Sequence, residues 1–238
     1  MTQAERRIFL IERLLTEEPS YGELAIPREA AAQKRLLRSL MNIRPPKAVR
    51  ADFIKVQDEY LQEEAEKKGI VDLADLTPVQ EGIYLWKGDI TALRCGAVVN
   101  AANSGLLGCF CPCHGCIDNA IHTYAGIELR LACAGLMEKQ GYAEHTVGPI
   151  VMGKVTKKDE ELLTSCYRSC LALAERNGIR SVAFCCISTG EFHFPNKRAA
   201  ELAVGTVRDY KERTHSEIEV IFDVFKDMDY EIYRELLG

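Results

Sequence analysis

Five side chains able to bind zinc crowd into eight positions: Cys109-Phe110-Cys111-Pro112-Cys113-His114-Gly115-Cys116. Thiolate and imidazole are the ligands zinc prefers. Four cysteines, or three with His114, would close a structural site. Ligands at 111, 113 and 114 together would need a tight wrap that Pro112 restricts. A loop of free thiols is the plain alternative. The chain holds ten cysteines, about 4% of its residues and below the density of small disulfide scaffolds. Its opening stretch, MTQAERRIFLIERLL, scatters charges through its apolar residues and lacks a leader core. Metal or thiol chemistry is therefore expected over disulfides, in a soluble cytoplasmic protein.

Directly after the cluster, Asp118 and His122 stand four apart and share a face of the helix expected there. The helix dipole favours an ionised carboxylate at Asp118. His122 reads as a structural histidine that bonds the neighbouring loop. Three further loops follow apolar runs, where ligands gather in parallel sheets. Lys87-Gly88-Asp89-Ile90-Thr91 offers a carboxylate at Asp89, which could equally cap a turn through Thr91. Asn100-Ala101-Ala102-Asn103-Ser104-Gly105 offers two amides to a sugar hydroxyl, or two turns tied by Asx bonds. In Ile187-Ser188-Thr189-Gly190-Glu191-Phe192-His193-Phe194, closely approaching backbone N–H groups could cradle a diphosphate. Phe192 and Phe194 flank that loop, and either could close over a sugar.

These loops need a scaffold, and its pattern changes near Gly69. Before it, helical periodicity marks runs at 4–16, after Pro27, and from about Val49. They form a helical N-terminal extension, 1–69, without a ligand cluster. A packed appendage is expected, with a docking or substrate-positioning cap as the functional alternative. From residue 70, strands are expected at 82–86, 97–101, 146–152, 180–188 and 218–225, alternating with helices at about 117–139, 159–177, 196–212 and 227–237. This predicts one α/β domain, 70–238, with a largely parallel sheet covered on both faces. The net charge of −5 argues against a polyanion groove but not against an anion held by backbone. No apolar run reaches the roughly 20 residues of a membrane span.

GDIT, VVNAANS, HTVGPI and ISTGEFHFP, in that order, resemble the macrodomain family of ADP-ribose binders. GCFCPCHGCIDNAIH, lying between the second motif and its helix, is similar to the bacterial zinc-dependent macrodomain class. The resemblance covers about 70–238 and implies a three-layer α/β/α macrodomain with a mostly parallel mixed sheet, preceded by the helical extension. It selects Cys109, His114 and Cys116 as ligands for Zn2+. It places Asp89 and Ile90 beside adenine, with Asp89 accepting from the exocyclic amine. It assigns the diphosphate to Ser188, Thr189, Gly190, Glu191 and Phe192. It makes Asn103 and Asp118 the catalytic residues: Asn103, helped by Asn100, would hold the distal ribose, and Asp118 would face the substrate. Phe225, closing IEVIFDVF, is the candidate to stack on adenine, with core packing as its alternative.

The activity so implied is hydrolysis of the bond joining mono-ADP-ribose to a protein side chain, with release of ADP-ribose. The resemblance also implies a sirtuin-type ADP-ribosyltransferase and a lipoyl-carrier protein as partners, with neither nucleic acid nor membrane. Two other readings remain: a non-catalytic ADP-ribose module with structural zinc, and a thiol/zinc redox sensor using Cys111 and Cys113. One departure stands out. Family members carry a strand and loop before the histidine of HTVGPI, whereas here Gly141-Tyr142-Ala143-Glu144 runs straight into His145.

Overall fold

The computed structural model describes residues 1–141 and 148–238. The chain forms two compact units, Met1–Gly69 with Ala102–Tyr142 and Ile70–Ala101 with Ala143–Gly238.

The first unit is helical. Helix α1 (Gln3–Thr16) starts at a capping box in which Thr2 and Glu5 satisfy each other's backbone N–H groups. Helix α2 (Ala30–Ile43) stops before Pro45-Pro46, and α3 (Ala51–Lys68) ends at Gly69 with φ 84°. That left-handed turn favours glycine. The three helices bury one apolar stripe each, and Leu10, Ile11, Leu14, Leu37, Leu40, Met41, Phe53 and Tyr60 make their common core. Ile127 joins this cluster from a later helix.

That later region differs from the single helix expected at 117–139. It is two helices, α4 (Ile117–Tyr124) and α5 (Ile127–Gln140), separated at Ala125-Gly126. Gly126 has φ 78°, and a Cβ there would lie 2.3 Å from the buried Gln57 amide. Gln57 Oε1 accepts from the Ile127 N–H and so satisfies one of the free donors at the start of α5.

The second unit carries the sheet. Strands β1 (Val71–Asp72) and β3 (Leu93–Arg94) form a small parallel pair that the sequence pattern did not reveal. The main sheet contains β2 (Ile83–Lys87), β4 (Ala97–Val99), β5 (Ser181–Phe184) and β6 (Glu219–Val224), in spatial order β2-β6-β5-β4. Its ladders are all parallel, with register Ala97↔Val182, Val182↔Val220 and Ile83↔Val220. Every residue of β5 is buried, in keeping with the unbroken apolar run VAF.

Helices α6 (Lys157–Arg176), α7 (Asn196–Thr214) and α8 (Asp227–Leu237) complete the unit. Tyr167 of α6 packs on Phe184 of β5 with ring centroids 4.9 Å apart, and Tyr233 of α8 on Phe222 of β6 at 5.1 Å. The strand expected at 146–152 is not formed over 148–152, where the backbone is irregular. Its first two residues, with His145 and 142–144 of the GYAE stretch, lie outside the described residues. Gly148 and Pro149 in this stretch explain the loss, since one lacks a side chain to pack and the other cannot donate to a ladder. Among the described residues no helix is long and apolar enough to cross a membrane.

Candidate functional site

In the first unit, Cys109, His114 and Cys116 are drawn together. One donor atom from each lies within 4.8 Å of the others. Zn–S bonds of about 2.3 Å and Zn–N bonds of about 2.0–2.1 Å would set donors roughly 3.6–3.8 Å apart in a tetrahedron. Separations within 4.8 Å are compatible with that spacing, and the donor set of two sulfurs and one imidazole suits zinc chemically. Burial pushes the Cys116 thiol up to about 11, and the adjoining Cys109 adds to the shift against an N–H bond from Asn119. A divalent cation would reverse this balance and hold both sulfurs as thiolates. The remaining two cysteines of the cluster stand apart from that trio. Cys111 is exposed. Cys113 turns its Sγ to Ser39 Oγ at 3.2 Å, and its N–H donates to Asn42 Oδ1 at 2.9 Å.

Asn103 shapes the start of this loop. Its Oδ1 accepts from the Gly105 N–H at 2.9 Å and its Nδ2 donates to the Gly108 carbonyl at 3.1 Å. The Asx turn weighed for this residue is thus present, with the amide facing its own loop. Asp118, the second residue of α4, is 4% exposed. Its Oδ1 lies 3.4 Å from His122 Nε2, as their spacing of four requires. Burial pushes the His122 imidazole down against the pull of Asp118, so the ring favours its neutral form.

In the second unit, Asp89 follows β2 and accepts from the Thr91 N–H at 3.0 Å and from Thr91 Oγ1 at 2.6 Å. It therefore caps the short turn Ile90–Ala92, and Ile90 beneath is 2% exposed. Gly88 is required just before it: a Cβ there would lie 2.2 Å from the Trp86 ring, and its N–H donates to the Val224 carbonyl. Asn100 is half-buried at the end of β4.

The loop after β5 is closed by its own backbone. Phe194 N–H donates to the Ser188 carbonyl at 2.9 Å, and His193 N–H to the Gly190 carbonyl at 3.0 Å. Ser188 sits at φ 65°, an uncommon conformation for a residue with a side chain, and its buried Oγ has no hydrogen-bond partner among the described residues. Thr189 Oγ1 donates to the Cys186 carbonyl at 2.9 Å. Gly190 has nothing within 4 Å of a built Cβ, and Glu191 beside it is exposed. Phe192 is half-buried, but Phe194 is 1% exposed and belongs to the core. That corrects the expectation that either ring could close over a sugar. Phe225 is the reverse case. Just past β6 it is 76% exposed, so core packing does not explain it.

Sequence reasoning missed Asn119, Arg38, Asn42 and Arg130, which hold the cysteine loop. Arg130 alone left a signal, a charge inside the apolar run LRLACAGL of α5. It is 4% exposed and donates to the carbonyls of Leu107, Met41 and Asn42 at 2.7–3.0 Å, and also to that of Arg44.

The second unit's parallel sheet, with helices α6, α7 and α8, belongs to the α/β class of folds. The Macro domain family model matches residues 99–144 and 141–203. A relative named Protein-ADP-ribose hydrolase from Treponema medium is 50% identical over 261 aligned positions, covering 100% of both chains. Another of that name, from Staphylococcus aureus (strain Mu50 / ATCC 700699), is 41% identical and covers 97% of this chain and 94% of its own. Among solved structures, the Trypanosoma brucei macrodomain in complex with ADP-ribose superposes with a TM-score of 0.64 at 26% identity, over 84% of this chain and 95% of that one. The chain belongs to the macrodomain family, and its fold is the α/β macrodomain fold with helices α1, α2 and α3 ahead of the strands.

Proposed function

We propose that the chain is a zinc-dependent hydrolase that removes mono-ADP-ribose from modified protein side chains and releases ADP-ribose. The observation that carries the zinc part of this reading is the convergence of Cys109, His114 and Cys116. The relatives named as protein-ADP-ribose hydrolases support the reaction, and the ADP-ribose complex of the Trypanosoma macrodomain supports the ligand.

Asp89 would accept from the adenine amine while the exposed Phe225 ring stacks on the base. The diphosphate would be held by the 188–192 loop, with the free Ser188 Oγ as a donor. Asn103 and Asn100 would orient the distal ribose. When bound, zinc would supply a Lewis acid with one open coordination position. Asp118 would align the attacking water and take its proton as the new bond forms at the anomeric carbon. The glycosidic bond breaks, its electron pair leaves with the target side chain, and the proton returns to that leaving atom. A carboxylate there would also steady positive charge on the sugar as the bond loosens.

The missing strand and loop before His145 also find support. The alignment with the Treponema relative spans 261 positions against 238 residues here, and the two family matches meet at 141–144. Of the partners, only the modified protein and ADP-ribose follow from this chemistry; a sirtuin-type transferase and a lipoyl carrier rest on resemblance.

The test is incubation with a mono-ADP-ribosylated protein, with and without a zinc chelator. Free ADP-ribose is expected without chelator and not with it. Release that persists after zinc is stripped, or no release at all, would refute the reading.

A further inference from the structure

Asn119, the third residue of α4, touches both candidate zinc sulfurs. Its Nδ2 donates to Cys109 Sγ at 3.4 Å and to the Cys111 carbonyl at 2.9 Å, while its backbone N–H donates to Cys116 Sγ at 3.4 Å. A group that holds the amide oxygen favours the orientation in which the donor end meets sulfur. Here that group is Arg38 of α2, whose Nη2 and Nε reach Asn119 Oδ1 at 2.7 and 3.3 Å. The same Nη2 donates to the His114 carbonyl at 3.0 Å. One guanidinium from the N-terminal helices thereby refers to all three ligands: His114 through its own backbone, Cys109 and Cys116 through Asn119.

The loop needs such bracing. Phe110 and Cys113 have φ of 50° and 52°, a region costly for residues with a Cβ. Asn42 holds the Cys113 N–H and donates to Thr123 Oγ1 at 2.9 Å. Asn119 is 2% exposed, so its bonds face little competition from water.

We propose that Arg38 and Asn119 are positioning residues of the metal site, so that helix α2 forms the outer half of it. The proposal rests on the zinc reading of Cys109, His114 and Cys116. N–H groups aimed at a thiolate fix its direction and spread its charge, and a nearby cation lowers the cost of two thiolates together. Such outer partners typically change metal affinity about 10–100-fold. The extension then does more than pack.

The experiment measures zinc affinity by chelator competition, with thermal melting and cobalt(II) spectra alongside, on the full chain. Arg38→Met keeps the stem but removes every donor, Arg38→Lys keeps the charge with fewer directions, and Asn119→Asp replaces the donor by a carboxylate facing sulfur. Arg38→Met and Asn119→Asp are expected to bind zinc about 10–100-fold more weakly, with altered thiolate–cobalt absorption, and Arg38→Lys to recover part of the loss. Should Arg38→Met not fold, Arg38→Lys and Asn119→Asp carry the comparison. Wild-type affinity in the folded variants overturns the proposal, even if their melting temperatures fall. A wild-type chain that holds no zinc overturns the zinc reading itself, and this proposal with it.

Discussion

The Cys109–Cys116 loop is held mainly by side chains from elsewhere in the chain, whereas the 188–194 loop is closed mainly by its own backbone, with one bond from outside, Val151 N–H to the Phe192 carbonyl at 2.8 Å. Arg38, Asn42 and Arg130 reach the cysteine loop or its approach from helices distant in sequence. The bonds that close the later loop, Phe194 to Ser188 and His193 to Gly190, start and end inside it. The difference matches what each must do. A backbone cradle needs only a turn of fixed shape, because the N–H groups are part of that turn. A metal trio needs three side chains aimed at one point, and aiming calls for a second layer of contacts. On the proposed function, the loops assigned to ADP-ribose should therefore tolerate loss of metal, while the metal trio should depend on Arg38 and Asn42 of α2.

Substitutions can break that contrast. The largest effect is expected for Cys109→Ser, which should reduce ADP-ribose release to background in zinc-supplemented buffer while ADP-ribose still binds; calorimetry and a release assay on one preparation check both. Asp118→Asn should slow release by about 10²–10⁴-fold with the zinc content unchanged by metal analysis. Equal losses of zinc and rate there would move Asp118 from chemistry to scaffolding. In the other half, Phe225→Ala should weaken ADP-ribose binding by about 1–3 kcal/mol without lowering the melting temperature, since the ring is 76% exposed.

A separate effect concerns stability beside Asp89. Burial, then the nearby Asp89, pushes the buried Asp223 carboxyl from 3.8 up to about 8. Over that window the folded chain keeps a proton that the unfolded chain has released, so stability falls as pH rises and levels off above it. The contribution is on the order of 1 kcal/mol per pH unit. Asp223→Asn should flatten this dependence, seen as a smaller drop in melting temperature between pH 5 and pH 8 ranges of roughly those limits.

What the sequence revealed follows the same division. Strands β2, β5 and β6 were legible because buried parallel strands are apolar runs bounded by turn residues, as GIYLW, SVAF and IEVIFDV show. The five-ligand cluster was visible, and only the resemblance selected Cys109, His114 and Cys116 from it. Its support was not, because Arg38 and Asn42 lie some seventy or more positions from the loop they hold, and a polar residue on an apolar helix face looks like a surface residue until its partner is known. The split of α4 from α5 was missed because Gly126 there answers to Gln57, a contact that no local pattern encodes. Phe192 and Phe194 were read alike as flanking rings, although Phe194 is core, and Phe225 was left between stacking and core packing, although it is exposed. Alternation cannot decide burial for an aromatic just outside a strand.

The most direct measurement pairs binding with cleavage on metal-free and zinc-restored protein. The metal-free chain is expected to bind ADP-ribose and to release none from a mono-ADP-ribosylated target, with release returning as one zinc per chain is added back. Cleavage by the metal-free chain, or zinc restored without cleavage, would contradict the division of labour between the two loops.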